Sequence, residues 1–250
     1  MTHLMYNAKN DKPMSRAQLH MLPTPPAMGR FHQPYPFGDY VEQVAHSLEH
    51  TGFEIVGEEY AVQKDHQRMF GLMQIAYEGN SGESHEWLVG LRGSHDQSIP
   101  RGLTVGSRVI VCSNLCFHGD LATVSTKQTL NIDSRLPQLI REACRELPNR
   151  IIDQDKKFEA LKQFDIKPRW GDAALVEIHK RGGFTAAQLS KAVHEWESPT
   201  YEEHGQDGFT AWRLLQAATE AVKPNGDSVN HDTIRHRTEV ASKFIESIVH

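Results

Sequence analysis

The spacing of apolar residues changes character along the chain. Residues 1–38 show no period and hold prolines 13, 23, 25, 26, 34 and 36, which forbid a long helix. Leu22-Pro23-Thr24-Pro25-Pro26 favours extended polyproline II geometry. This leader reads as an arm that packs across the domain or an oligomer partner; a partner-binding peptide is the alternative. Val41, Val44, Ala45 and Leu48 then fall at helical spacing. Asp39 and Glu42 form a capping-box pair, which predicts a helix start at residue 40, and Gly52 predicts its end. Next the period becomes two. Residues 54–63 and 67–77 read as antiparallel strands joined across Lys64-Asp65-His66. Further strands are predicted near 86–93, 101–105 and 107–117, with a last short one at 121–130. From residue 131 the period is helical again. Leu136, Leu139, Ile140, Ala143 and Leu147 make an apolar stripe. Ile151, Phe158, Leu161 and Phe164 continue it after a break at Pro148. Asp172 and Thr185 read as N-caps, the latter with Gln188 three residues on. Helices at 187–196, 209–222 and 233–249 complete the set.

The pattern is that of an α+β protein: a mostly antiparallel β-sheet with an N-terminal helix, followed by a helical C-terminal region. It divides into a proline-rich arm at 1–38, a sheet domain at 39–130 and a helical region at 131–250, packed on the sheet domain or extending from it. A chain of 250 residues is long enough to bury a real core. No apolar run approaches the ~20 residues of a membrane span, and the N-terminus has no continuous apolar segment of a signal peptide. A cytoplasmic protein without a membrane partner is expected. The three cysteines, 112, 116 and 144, fit a reducing compartment. Cys112 and Cys116 have no second pair, so buried thiols are expected rather than zinc or a disulfide, and no cofactor is implied. The 15 histidines are scattered and match no metal-binding spacing.

Charge narrows the function. A net charge of −5 argues against a dedicated duplex-DNA binder, whose affinity rests on many Lys and Arg contacts to phosphate. The charge is uneven, however. Residues 88–119 hold Arg92, Arg101 and Arg108 against Asp96 alone, and 135–169 hold nine basic and six acidic side chains. A local basic face of this kind suits a single strand; a solvated helix surface is the plainer reading of 135–169.

Candidate chemistry concentrates between two apolar strand segments, Val89 with Leu91 and Val109–Val111. The loop between them carries Arg92, Ser94, His95, Asp96, Ser98 and Arg101, with glycines at 90, 93, 102 and 106. Loops held by rigid strands are where proteins place function. Ser94-His95-Asp96-x-Ser98, then Gly106-Ser107-Arg108-Val109-x-Val111-Cys112-x-Asn114, resembles the signature of the DUF932 family of phage and plasmid proteins. Thr210-Ala211-Trp212-Arg213-Leu214-x-x-Ala217-x-Thr219-Glu220 resembles that family's C-terminal helical motif. Gln97 stands where the family has Gly, and Gln216 where it has Asn. The resemblance spans roughly residues 37–245 and implies a protein of mobile elements.

Several readings of the loop stay open. Ser94, Asp96 and Ser98 can form a self-bonded turn, since short polar side chains bond nearby backbone amides. They can instead contact a ligand. Arg92, Ser94, His95, Asp96, Ser98, Arg101, Arg108 and Asn114 are then the candidate nucleic-acid-binding residues, with Trp87 and Phe117 as aromatic neighbours or as core. A third option is chemistry: His95 and Asp96, joined by His118 and Asp120, would hold a cation that activates water. Arg181-Gly182-Gly183-Phe184 reads as a C-cap turn between helices. The expectation is a non-enzymatic nucleic-acid-associated protein of a phage or plasmid, acting in single-strand DNA binding or recombination, with no catalytic residue. A metal-assisted hydrolase or nuclease and a protein inhibitor of host defence are the alternatives. A host or phage protein, and a homo-oligomer formed through the arm, are the other partners in view.

Overall fold

The computed structural model describes residues 12–63, 65–77, 85–109, 115–206, 208–223 and 231–249. Within them, the side chains of Lys12, Arg108, Val109, 115–123, Glu203, His231 and Asp232 lie outside the description. The protein is α+β. Six strands form one sheet in the order β1-β2-β3-β4-β5-β6: Lys12–Met14, Phe53–Gln63, Arg68–Tyr77, His85–Ser94, Arg101–Val109 and Leu115–Thr126. Eight helices are described: α1 Arg16–His20, α2 Phe37–His50, α3 Ile132–Gln163, α4 Pro168–Lys180, α5 Ala186–Glu197, α6 Glu202–Gln206, α7 Ala211–Val222 and α8 His231–Val249.

The arm joins the sheet. β1 pairs antiparallel with β2, Lys12 opposite Val62 and Met14 opposite Tyr60. A capping box then starts α1: Gln18 donates its backbone N–H to Ser15 Oγ at 3.3 Å, and Ser15 donates to Gln18 Oε1 at 2.8 Å. Leu19 is buried. The hairpin of β2 and β3 pairs from Phe53 opposite Tyr77 to Gln63 opposite Arg68, with a one-residue register shift between Ile55 and Gly57. β3 pairs in turn with β4, with Met73 opposite Val89 and Arg68 opposite Ser94. Met69, Met73, Trp87 and Val89 are buried on these strands.

Several boundaries differ from the sequence expectation. α2 begins at Phe37, three residues before the expected start, and Asp39 lies in its first turn rather than at the cap. A carboxylate there still favours the helix through the macrodipole. The break expected at Gly106 is absent, since β5 runs through it to Val109; residues 110–114 of the strand expected at 107–117 lie outside the described residues, and 115–117 belong to β6. α3 continues through both Pro137 and Pro148 instead of breaking. An interior proline costs about 3 kcal/mol. The buried stripe Ile132, Leu136, Ile140, Cys144, Leu147, Ile151, Phe158 and Leu161 outweighs that cost. Asp172 is inside α4; the first helical residue is Pro168, whose missing N–H harms nothing there.

By internal contacts the chain divides into two compact units. The first comprises Met1–Ser81, Glu86–Gly106 and Gly119–Arg150; the second comprises Gly82–His85, Ser107–His118 and Ile151–His250. In the second unit α4 ends as expected at Arg181. Gly182 donates to the His179 carbonyl at 2.9 Å and Gly183 to the Ile178 carbonyl at 2.9 Å, which closes the helix end. Thr185 and Gln188 form the capping box of α5. Every residue of α7 is buried. Among the described residues no helix is long and apolar enough to cross a membrane.

Candidate functional site

The turn between β4 and β5 is closed on itself. Ser94 Oγ accepts from the Ile99 N–H at 2.9 Å and donates to the Ile99 carbonyl at 3.1 Å. The Ser98 N–H donates to Asp96 Oδ1 at 3.0 Å, and the Ser98 hydroxyl donates to the same oxygen. Arg68 Nε donates to Ser98 Oγ at 2.9 Å and lies 3.6 Å from Asp96 Oδ2. The His95 N–H donates to the Gln67 carbonyl at 2.8 Å, fastening the turn to the β2–β3 connection. Gln97 occupies a positive φ of 59° at the tip. Burial pushes the Asp96 carboxyl up, but hydrogen bonds from Ser98 and Ser94 and the Arg68 charge outweigh it and hold it at about 2.

Behind the turn lies a buried arginine. Arg101 is 0% exposed and meets no carboxylate among the described residues. Its Nη2 donates to the Tyr35 carbonyl, and lies 3.4 Å from Gln128 Oε1 and 3.5 Å from His95 Nδ1. The guanidinium carbon stands 4.3 Å from the Phe37 ring centroid and 5.5 Å from that of Tyr40. Two ring faces thus stand in for an anion. Nε and Nη1 have no hydrogen-bond partner among the described residues. Burial pushes the guanidinium down to about 9, against the weaker opposing pull of Tyr40 and Tyr35, so it is charged at neutral pH. The side chain fits only because residue 93 is glycine: a Cβ there would stand 2.6 Å from Arg101 Cδ.

His95 shares this interior. Its ring centroid is 4.1 Å from that of Phe37. Burial, then the Arg101 charge, then His32 push its imidazole down to about 3, with Asp96 pulling weakly the other way. His95 is therefore neutral and a poor base at neutral pH. Gln128 completes the cluster: it accepts from the Tyr35 N–H at 2.8 Å and donates to the Ser94 carbonyl.

The loop residues named from the sequence therefore separate. Ser94, His95 and Arg101 are inside the protein, where no phosphate reaches them. Arg101, named among the candidate nucleic-acid-binding residues, is a buried cation that holds the arm at the Tyr35 carbonyl. Asp96 is half-buried and Ser98 exposed, both tied into the turn; Arg92 is half-buried. The Arg108 side chain, Asn114, Cys112, and the side chains of Cys116, His118 and Asp120 lie outside the described residues. Among the described residues no three His, Cys, Asp or Glu side chains converge as metal ligands. Cys144 is a buried free thiol, pushed by burial up to about 12.

The motif at 210–220 is interior as well. Thr210 caps α7 by accepting from the Arg213 N–H at 3.2 Å. Arg213 donates to the Trp196 carbonyl at 2.7 Å and the Glu197 carbonyl at 3.3 Å, a cation on the C-terminal carbonyls of α5. Its guanidinium carbon lies 4.3 Å from the Phe209 ring centroid. Beside it a cleft is lined by Glu195, Tyr201, His204, Gln216 and Glu220. Two of its carboxylates are occupied. Glu195 accepts from the Thr200 hydroxyl at 2.5 Å, and Glu220 faces Lys191 at 3.3 Å and Lys223 at 2.5 Å.

Sequence spacing gave no hint of the groups that surround Arg101. Tyr35, Phe37, Tyr40 and Gln128 come from the arm, α2 and the segment after β6, as many as 66 residues from Arg101 along the chain. It also missed the buried His85, whose Nε2 meets Asp155 Oδ1 at 2.8 Å across 70 residues. Comparison with known proteins adds no relative: no family model, curated protein or solved structure matches this chain.

Proposed function

We propose that this is a non-enzymatic, nucleic-acid-associated protein that prefers single strands. The observation that carries the non-enzymatic part is the closed turn. Asp96 is saturated by Ser98 and Ser94, and His95 is buried and neutral, so the pair is poorly placed to take and return a proton at neutral pH. The nucleic-acid part is supported by exposed cations and by motif likeness. Arg135 and Arg141 stand exposed on α3 with no ion partner among the described residues. The motifs at 94–114 and 210–220 resemble those of a phage and plasmid family in sequence, a resemblance that no family model supports. With a net charge of −5, the affinity must come from a local patch rather than a global field.

The test is fluorescence anisotropy with a labelled single strand and its duplex at two salt concentrations, followed by incubation with Mg²⁺ and Mn²⁺. Tighter binding to the single strand is expected, with a salt slope of about 0.7 per phosphate contact. No strand cleavage is expected. Metal-dependent cleavage that disappears in His95→Ala establishes the hydrolase reading instead. Tighter binding to duplex overturns the preference.

A further inference from the structure

Three of the four tryptophans are interior: Trp87 is 1%, Trp196 0% and Trp212 5% exposed. The fourth, Trp170, is 73% exposed. Tryptophan is costly to leave in water, because a buried aromatic removes 150–250 Å² of surface from solvent. Lys167 and Arg169 precede it within three residues, both exposed and without an ion partner among the described residues. Phe164 is exposed three residues before Lys167.

The backbone makes this corner rigid. Trp170 and Gly171 both donate to the Lys167 carbonyl, at 2.8 and 3.2 Å. The Pro168 carbonyl accepts from Trp196 Nε1 at 3.1 Å. Gly171 seats directly on the Trp196 ring, where a Cβ would stand 2.2 Å from Cε2. Lys167 is the N-cap of α4, in extended conformation, and Arg169 and Trp170 lie in the first helical turn, so the three residues share the N-terminal end of the helix.

The electrostatics run against helix stability. The start of a helix carries about half a positive charge and favours carboxylates. α4 has no acidic residue in its first turn, and it has Lys167 at the cap and Arg169 just inside. Two cations and a helix N-terminus repel one another. Asp165 and the half-buried Asp172 are the nearby carboxylates in sequence, and Lys162 is engaged by Glu159 at 2.6 Å. An anion supplied from outside would relieve the repulsion, and an exposed indole takes a planar ring.

We infer that Trp170, Lys167 and Arg169 at the start of α4 form a contact for single-stranded nucleic acid, one base stacking on the indole and its phosphates meeting the two cations. This rests on the nucleic-acid reading above and assigns it a surface. Stacking is tolerant of base identity, so no sequence preference follows. Two phosphate contacts imply a salt slope of about 1.4 from this corner.

The experiment titrates the full chain with matched oligo-dT and oligo-U, reading anisotropy and intrinsic tryptophan fluorescence. Binding should quench the emission of the exposed indole and spare the three interior ones. Trp170→Ala should weaken binding about tenfold, and Trp170→Phe should retain most of it. Lys167→Ala with Arg169→Ala should weaken binding and lower the salt slope by about 1.4. Oligo-U and oligo-dT bound alike mark a platform that ignores the 2′-hydroxyl; a preference for one names RNA or DNA as the strand taken, and either supports the inference. No binding of either oligomer by the unmodified protein overturns both this inference and the function proposed above. Binding that Trp170→Ala leaves unchanged overturns the inference alone. Loss of self-association in Trp170→Ala, with oligomer binding intact, makes the corner a protein interface and overturns it too.

Discussion

His95 shows how burial decides a residue's chemistry. Its folded value of about 3 lies below the ordinary 6.5 of a histidine. The folded state therefore refuses a proton that the unfolded state accepts, and stability falls as pH drops from 6.5 toward 3. At pH 5 the loss attributable to this one group is about 2 kcal/mol. Urea unfolding at pH 7 and pH 5 should show it, and His95→Gln should flatten the dependence by about that amount. His32 is also lowered by burial and acts in the same direction, so a residual slope is expected. A full-sized slope in His95→Gln would mean that the imidazole is not held neutral. Asp96 contributes only at lower pH, between its ordinary 3.8 and about 2.

At the scale of the element, α4 sets helix propensity against packing. Alanine in place of an interior helical glycine ordinarily gains about 1 kcal/mol. At Gly171 the added methyl would enter the Trp196 ring. Overpacking of that kind costs about 1–3 kcal/mol, and the displaced indole would also strain its bond to the Pro168 carbonyl. Gly171→Ala should therefore destabilise the protein despite its better propensity, by about 1–2 kcal/mol net. Chemical denaturation measures this directly; a stabilised variant would show that α4 is free to shift away from α5. The prolines of α3 make the same point in reverse, since packing there keeps a helix that local preference would break.

At the scale of the whole molecule, the arm is part of the first unit and not an appendage. It supplies an edge strand, a buried Leu19 and the Tyr35 backbone groups that Arg101 and Gln128 hold. Removing residues 1–36 uncovers β2, strands a buried guanidinium without its acceptor and breaks the cluster behind the turn. With about 3 kcal/mol lost, the thermal midpoint should fall by about 10 °C. A truncated chain that melts with the full protein would show that the arm adds nothing to the core.

The chain by itself determined whatever local rules control. The hairpin 53–77, the capping box at Thr185, the turn after α4 and the change from period two to period three-and-a-half are all written in neighbouring residues. So was the chemistry of the turn: Ser94, Asp96 and Ser98 lie within reach of one another in any compact loop. Only the tertiary structure decided what that chemistry is for. In the sequence Arg101 and His95 look like exposed loop residues. They are buried because Phe37 and Tyr40 on α2, Tyr35 in the arm and Gln128 after β6 close over them, and no period or spacing links those positions. Trp170 is the converse. No period or motif in the sequence marks it, and only the fold leaves its indole exposed while its neighbour Gly171 seats on Trp196. Burial is a property of the assembled fold, and it sets both which groups keep their charge and which can be reached.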